Sequence, residues 1–250
     1  MKDIQISELR KSFDTAQGEL IVFDGINLSI EGGSFTSVIG PSGCGKTTLM
    51  NLLAGLVSKD SGSFHYGDTE VDGGEFFYGY VFQEPRLLDW LTVEDNIKFA
   101  LKSQGIPKQE HQSIVADQLK RVGLAGEEKS YPLHLSGGMR QRVGLARALA
   151  IDPDIIFMDE PFGSVDELTA RELRDDLLNI WQETDKTILF VTHDIKEAVY
   201  LSDKIIILNK MGEIVDEVTV DLPRPRDLED PALIEIQSSI TKTFLEKISH

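Results

Sequence analysis

The run Gly40-Pro41-Ser42-Gly43-Cys44-Gly45-Lys46-Thr47-Thr48 has the residue types and spacing of a loop that holds phosphates. It satisfies G-x-x-x-x-G-K-[ST] at every defined position. The glycines let the backbone wrap closely around an anion, and successive N–H groups then point inward. A helix starting at the end of the loop adds partial positive charge. Lys46 would reach the β- and γ-phosphates of a nucleotide, and the Thr47 hydroxyl would ligate Mg²⁺. The one cysteine, Cys44, lies inside the loop, where a helix N-terminus favours a thiolate. That makes it a candidate for alkylation protected by nucleotide; an inert buried thiol is the alternative.

Two further runs carry chemistry at the ends of apolar stretches. Residues 154–160 read Asp-Ile-Ile-Phe-Met-Asp-Glu, a buried strand ending in two carboxylates. Beside a phosphate loop, Asp159 would enter the Mg²⁺ shell. Glu160 would polarise a water aimed at the γ-phosphate as general base. Residues 188–194 read Ile-Leu-Phe-Val-Thr-His-Asp, a second buried strand ending in His193. Parallel strands of an α/β sheet end at the edge where ligands bind, so His193 is expected near the γ-phosphate.

These residues need a scaffold that brings strand ends together. Residues 4–9, 19–23, 26–30 and 35–39 read as short strands, separated by turn signals such as Asp24-Gly25. A helix follows the loop near 45–56. Apolar spacing predicts helices within 92–122 and over 136–150, with Pro107 starting the second helix of the first stretch. Strands over 154–158 and 187–191 alternate with helices over 166–183 and 194–201. A hairpin over 204–218 turns at Lys210-Met211-Gly212. A linker, Leu222-Pro223-Arg224-Pro225-Arg226, then leads to a helix over about 231–248. Alternating strands and helices imply an α/β fold with a mostly parallel sheet.

Leu135-Ser136-Gly137-Gly138-Met139-Arg140-Gln141 is a second glycine-rich helix start, with Ser136 suited to the N-cap. Placed after a phosphate loop and before the acidic strand, it resembles the signature motif of ATP-binding cassette proteins. The resemblance extends over about residues 4–220. It implies a P-loop NTPase fold with a RecA-like core, an N-terminal antiparallel β subdomain and a helical signature subdomain. Residues 1–220 would form the ATP-binding domain, with the helical subdomain inserted at about 84–150, and 221–250 a linker and helix. Phe13 sits where the family has an aromatic that stacks on adenine. Gln83 looks like the glutamine that contacts Mg²⁺ and the attacking water. Gly163-Ser164-Val165-Asp166 resembles the loop that crosses the dimer interface, with Ser164 and Val165 where Ala and Leu are commoner. The resemblance implies a homodimer in which Ser136, Gly137, Gly138 and Gln141 of one subunit cover the ATP of the other.

Residues 83–93, 160–163, 193–198 and 222–226 resemble one importer group, the ATPase subunits for nitrate, sulfonate, taurine and bicarbonate. Permease subunits, and indirectly a solute-binding protein, are the implied partners. Trp90 is read either as an anchor for the membrane partner or as a residue buried under the helical region. An exporter ATPase with the same cassette is an alternative. So is a soluble cassette acting on DNA or the ribosome, but no heptad pattern joins Lys46 to Ser136 and there is one cassette. A phosphate-loop kinase would need no signature motif.

The bulk properties agree. The 250 residues are 41% hydrophobic, enough for one large α/β domain or two small ones. No apolar run approaches the ~18 residues of a membrane helix, and the N-terminus lacks a secretory pattern. The expectation is a cytoplasmic protein, peripheral on the inner face of the membrane. A net charge of −17 disfavours nucleic acid as a partner.

Overall fold

A computed structural model describes residues 1–247. The elements in chain order are β1 (Ile4–Thr15), β2 (Gly18–Ile30), β3 (Phe35–Ile39), α1 (Lys46–Leu53), β4 (Ser61–Tyr66), β5 (Thr69–Val71), β6 (Tyr78–Val81), α2 (Val93–Ser103), α3 (His111–Arg121), α4 (Gly137–Ala150), β7 (Ile155–Asp159), α5 (Glu167–Thr184), β8 (Thr187–Thr192), α6 (Ile195–Leu201), β9 (Lys204–Leu208), β10 (Ile214–Thr219) and α7 (Pro231–Lys247). They form two compact units, one of residues 1–76 with the chain from 187 on, the other of residues 77–186. Among the described residues no helix is long and apolar enough to cross a membrane.

The first unit holds an antiparallel sheet in the order β2-β1-β4-β5. In β1 the buried positions are Ile4 and Ile6, then Leu9 and Lys11, so the inward parity changes between Ile6 and Leu9. Glu8 there has φ +50, and its N–H and carboxylate both bond the Asn27 side chain. This bulge keeps apolar side chains on one face although their spacing slips by one residue. The same unit holds β3 between β8 and β9, parallel to both, with β10 antiparallel to β9. Every residue of β3 and β8 is buried, the pattern of parallel strands covered on both faces. Leu233 and Ile240 of α7 pack with Ala198 and Val199 of α6 and with Ile205 and Ile207 of β9.

The second unit pairs β6 with β7 in parallel and packs α4 against α2, α3, α5 and β6. Thr92 caps α2, Ser136 caps α4 and Asp166 caps α5, each accepting a backbone N–H. These caps satisfy orphan donors and make each helix start where its sequence expects.

Three expectations change in detail. The strands expected over 19–23 and 26–30 are one strand, β2, because Gly25 takes φ +81 without ending it. Pro107 lies in a turn, with His111 N bonding Lys108 O, and α3 begins only at His111. β4, β5 and β6 occupy a stretch for which no element was expected. The end of the last helix, expected at 248, lies outside the described residues.

Gly79 shows how closely β6 meets α4. A Cβ there would lie 2.6 Å from the Ala148 carbonyl oxygen. Because backbone opposes backbone, neither side can yield by a rotamer change. Gly79→Ala is expected to destabilise the chain by about 1–3 kcal/mol, the usual cost of overpacking. Urea unfolding would report it as a lower midpoint; an unchanged or higher midpoint would contradict this packing.

Candidate nucleotide site

The phosphate loop leaves β3 at Gly40 and enters α1 at Lys46. Gly40 permits no side chain, since a Cβ would lie 2.6 Å from Cys44 Sγ and 2.9 Å from Leu208 O. Gly45 has φ +102 and packs on Val22 and Phe23. The loop is thus fixed from outside by β2 and β9. Its other side is open: nothing lies within 4 Å of a Cβ built on Gly43, and Ser42, Gly43 and Thr47 are exposed. Lys46 is only 5% exposed, and its ammonium donates to Gly40 O at 2.9 Å and Pro41 O at 3.0 Å. The first turn of α1 has no acidic residue to offset the positive helix end. A glycine-rich loop with an open side, a lysine and a helix start suits a polyphosphate.

His193 enters the same neighbourhood through strand register. Ile39 pairs with Thr192 in the parallel ladder of β3 and β8, so Gly40 and His193 leave the sheet side by side. His193 is exposed, whereas Thr192 beneath it is buried and bonds Glu197 at 2.7 Å. On β1, Phe13 is 36% exposed, with the Lys11 ammonium 4.7 Å from its ring centroid. Asp60 holds that ammonium at 3.0 Å and also accepts from Ser12. Lys11 first, then Ser12, keeps the Asp60 carboxyl below its usual range. An aromatic ring on this buttress can stack a base on its free face.

The second unit collects the other candidates. Val81 pairs with Met158 in the parallel ladder, so Gln83 and Glu160 follow β6 and β7 at matching positions. A Cβ built on Gly163 would lie 3.3 Å from Gln83 Nε2 and 3.7 Å from Glu160 Oε2, so amide and carboxylate converge there. Glu160 has φ +45, an uncommon backbone for a residue with a side chain. Asp159 ends β7 half-buried. Burial, and secondly the Asp159 charge, push the Tyr80 phenol far above its ordinary range, so it stays protonated.

The Ser136–Gly138 turn lies against the loop that follows Glu160. A Cβ on Gly138 would meet Thr169 Cγ2 at 2.4 Å, and one on Gly137 would lie 3.8 Å from Val165. Asp166 holds the Thr169 hydroxyl at 2.7 Å. Ser136 is exposed beside these residues, with its Oγ accepting from Met139 N. Gln141 differs from expectation. The resemblance implies that it faces a partner's nucleotide, but it is buried and its amide donates to Phe82 O at 3.0 Å. One helical turn and a half past Ser136, its side chain points into the unit, so it braces the residue before Gln83. Arg147, also missed from the sequence, donates to Pro85 O and Arg86 O and fixes the next residues. Trp90 is 74% exposed, which overturns the reading of burial under the helices.

Cys44 also corrects an expectation. It is 2% exposed, and burial raises its thiol above the usual range; Lys46 opposes this more weakly. The helix end is therefore not enough to make a thiolate. Iodoacetamide is expected to label Cys44 slowly in the native chain at pH 7, faster as pH rises past the ordinary thiol range, and readily after unfolding. Mass spectrometry would check this, and rapid native labelling at pH 7 would contradict it.

The ABC transporter family model matches residues 23–163, more than half of the chain. An uncharacterised ABC transporter ATP-binding protein of Methanocaldococcus jannaschii is 42% identical over 98% of this chain and 92% of its own length. The aliphatic sulfonates import ATP-binding protein SsuB of Bacillus licheniformis is 42% identical over 96% of this chain and 93% of its own. The taurine import ATP-binding protein TauB of Escherichia coli K12 is 42% identical over 88% and 86%. Among solved structures, a dimeric bacterial ABC transporter cassette covers 88% of this chain and 100% of its own, with TM-score 0.78 and 30% identity. A dimeric cassette in a post-hydrolysis state with ADP and Pi has TM-score 0.76 at 28% identity. The family model, the relatives and the shared fold thus agree, and the chain belongs to the ATP-binding cassette transporter family as an ATPase.

Proposed function

We propose that this ATPase drives import of a small solute of the nitrate, sulfonate, taurine or bicarbonate type, as a homodimer beneath separate permease subunits. The names of SsuB and TauB and their extent of identity support the solute class. Exposed Trp90, beside the segment after Gln83, suits docking to a permease. Delivery of solute would fall to a separate binding protein. The chain would act peripherally at the inner face of the membrane, and a net charge of −17 argues against nucleic acid as a partner. Residues 1–220 would form the cassette, with 84–150 its helical part, and 221–250 a linker and helix.

The observation that carries hydrolysis is the convergence of the Gln83 amide and the Glu160 carboxylate on Gly163. In the proposed mechanism Phe13 stacks adenine, and the 40–48 loop and Lys46 bind the phosphates. Thr47, Gln83 and Asp159 would hold Mg²⁺. Among the described residues no group of three or more His, Cys, Asp or Glu could hold a metal by itself. A few oxygen ligands beside phosphates suit Mg²⁺, which supplies charge neutralisation at the β- and γ-oxygens when bound. Glu160 takes a proton from the attacking water, Gln83 orients that water, and His193 donates to the γ-phosphate. Ser136, Gly137 and Gly138 of the second copy close the site, with the Asp166 loop at the interface.

Glu160→Gln keeps the shape and removes the base. Its hydrolysis is expected to fall roughly 10²–10⁴-fold while ATP still binds. The ATP-loaded variant should accumulate as a dimer, and adding Ser136→Arg should abolish it by filling the space of the phosphate contact. Light scattering after size exclusion, at high protein concentration with and without Mg-ATP, reads the dimer. Normal hydrolysis by Glu160→Gln would remove Glu160 from the mechanism. ATP binding without dimerisation would refute the shared site.

A further inference from the structure

The segment Leu222-Pro223-Arg224-Pro225-Arg226 has no part in the mechanism above, yet it grips a helix that begins beside His193. Arg226 is 7% exposed and buries its guanidinium among backbone carbonyls. It donates to Val199 O at 2.8 Å, Tyr200 O at 3.2 Å, Ser202 O at 2.7 Å, Val220 O at 2.9 Å and Leu222 O at 3.3 Å. Arg224 donates to Leu201 O at 2.6 Å and to Asp203 Oδ1 at 2.5 Å. Asp203 in turn accepts from Phe35 N at the start of β3. The orphan carbonyls of the last turn of α6 therefore receive two cations, where charge also complements the helix dipole. Burial lowers the Arg226 pKa to about 10, which leaves it charged at neutral pH.

At its other end α6 starts immediately after His193. Asp194 caps it, accepting from Lys196 N at 2.7 Å, and Thr192 bonds both Glu197 and Asp194 N. A helix of seven residues has little stability of its own, so contacts at its two ends decide where it sits. Ser202, just past α6, bonds Ser37 of β3, the strand that feeds the phosphate loop. The arginines, α6, His193 and the loop's strand thus form one connected set inside the first unit.

We propose that Arg224 and Arg226 are positioning residues for hydrolysis, which clamp the C-terminal end of α6 and so hold His193 against the phosphate loop. The inference rests on the reading of His193 as a γ-phosphate contact. A cation that only stabilised the fold would lower melting temperature without separating turnover from nucleotide affinity. A clamp acts on His193 and is felt in turnover.

The test uses the full chain, with ATPase rates across ATP concentration, nucleotide binding by a fluorescent analogue, and thermal melting. Arg226→Gln is expected to lower kcat by about ten- to a hundred-fold, the scale of a displaced catalytic group. KM and nucleotide affinity should stay near the parent values. Arg226→Lys should recover part of the loss, since an ammonium offers three of the guanidinium's five donors. In the His193→Ala background, Arg226→Gln should add no further loss, because the two act through one contact. If Arg226→Gln does not fold, Arg224→Gln carries the same comparisons with a smaller drop in kcat. Parental kcat in the folded arginine variants, with His193→Ala impaired, would overturn the clamp alone. So would multiplicative losses in the double variant. Parental kcat in His193→Ala would overturn the reading of His193 and the clamp with it.

Discussion

The parallel register of β3 and β8, Ile39 opposite Thr192, is the constraint from which the nucleotide-facing edge of the first unit follows. A parallel ladder makes both strands finish at one edge, and the next residues along, Gly40 and His193, leave the sheet together. A slip of one residue would reverse the facing of every side chain in a strand that is buried on both sides. Because each residue of both strands is buried, such a slip would have to repack both faces at once and would break the buried contact of Ser37 with Ser202. Loop and histidine therefore inherit their place at the sheet edge from packing in the sheet, while the arginines hold the far end of α6. The same logic holds separately in the second unit, where Val81 opposite Met158 aligns Gln83 with Glu160.

An acidic chain holding an anion poses an apparent conflict that distance resolves. The net charge of −17 is spread over the molecule. At physiological salt, charges beyond about 8 Å are largely screened. The Lys46 ammonium lies within the loop at the start of α1, and α1 brings no carboxylate in its first turn. Local donors thus outweigh the overall charge. Cys44 shows the opposite balance: it shares the loop, but the desolvation of a buried thiol exceeds the pull of Lys46.

Legibility in the sequence followed how local each determinant is. The phosphate loop, the Ser136 cap and, to within a residue, the strands expected over 154–158 and 187–191 are readable, because glycine spacing, capping side chains and apolar runs act within a few residues. The fused strand β2 was not, since whether Gly25 ends a strand or is absorbed depends on the partner strand. β4 to β6 were also hidden: Ser61–Tyr66 carries one fully buried apolar residue, Phe64, and lacks a clear alternation. Side-chain destinations were the least readable. Gln141 sits in the signature helix, yet only the fold reveals that Phe82 O is its partner. The proline-containing linker gave no sign of where Arg226 would go, since the five carbonyls it meets come from two stretches, 199–202 and 220–222.

The central claim is that one loop and one signature turn, from different copies, make a complete hydrolytic site. Mixing two inactive variants tests it most directly. Lys46→Ala lacks the loop's cation but keeps its signature turn; Ser136→Arg keeps the loop but blocks the turn. A mixed dimer of the two contains one intact pairing and one doubly broken pairing. ATPase activity is predicted to appear on mixing, rising to a maximum near equal proportions, with neither variant active alone. No activity at any ratio, with mixed dimers detected by native mass spectrometry, would contradict the account.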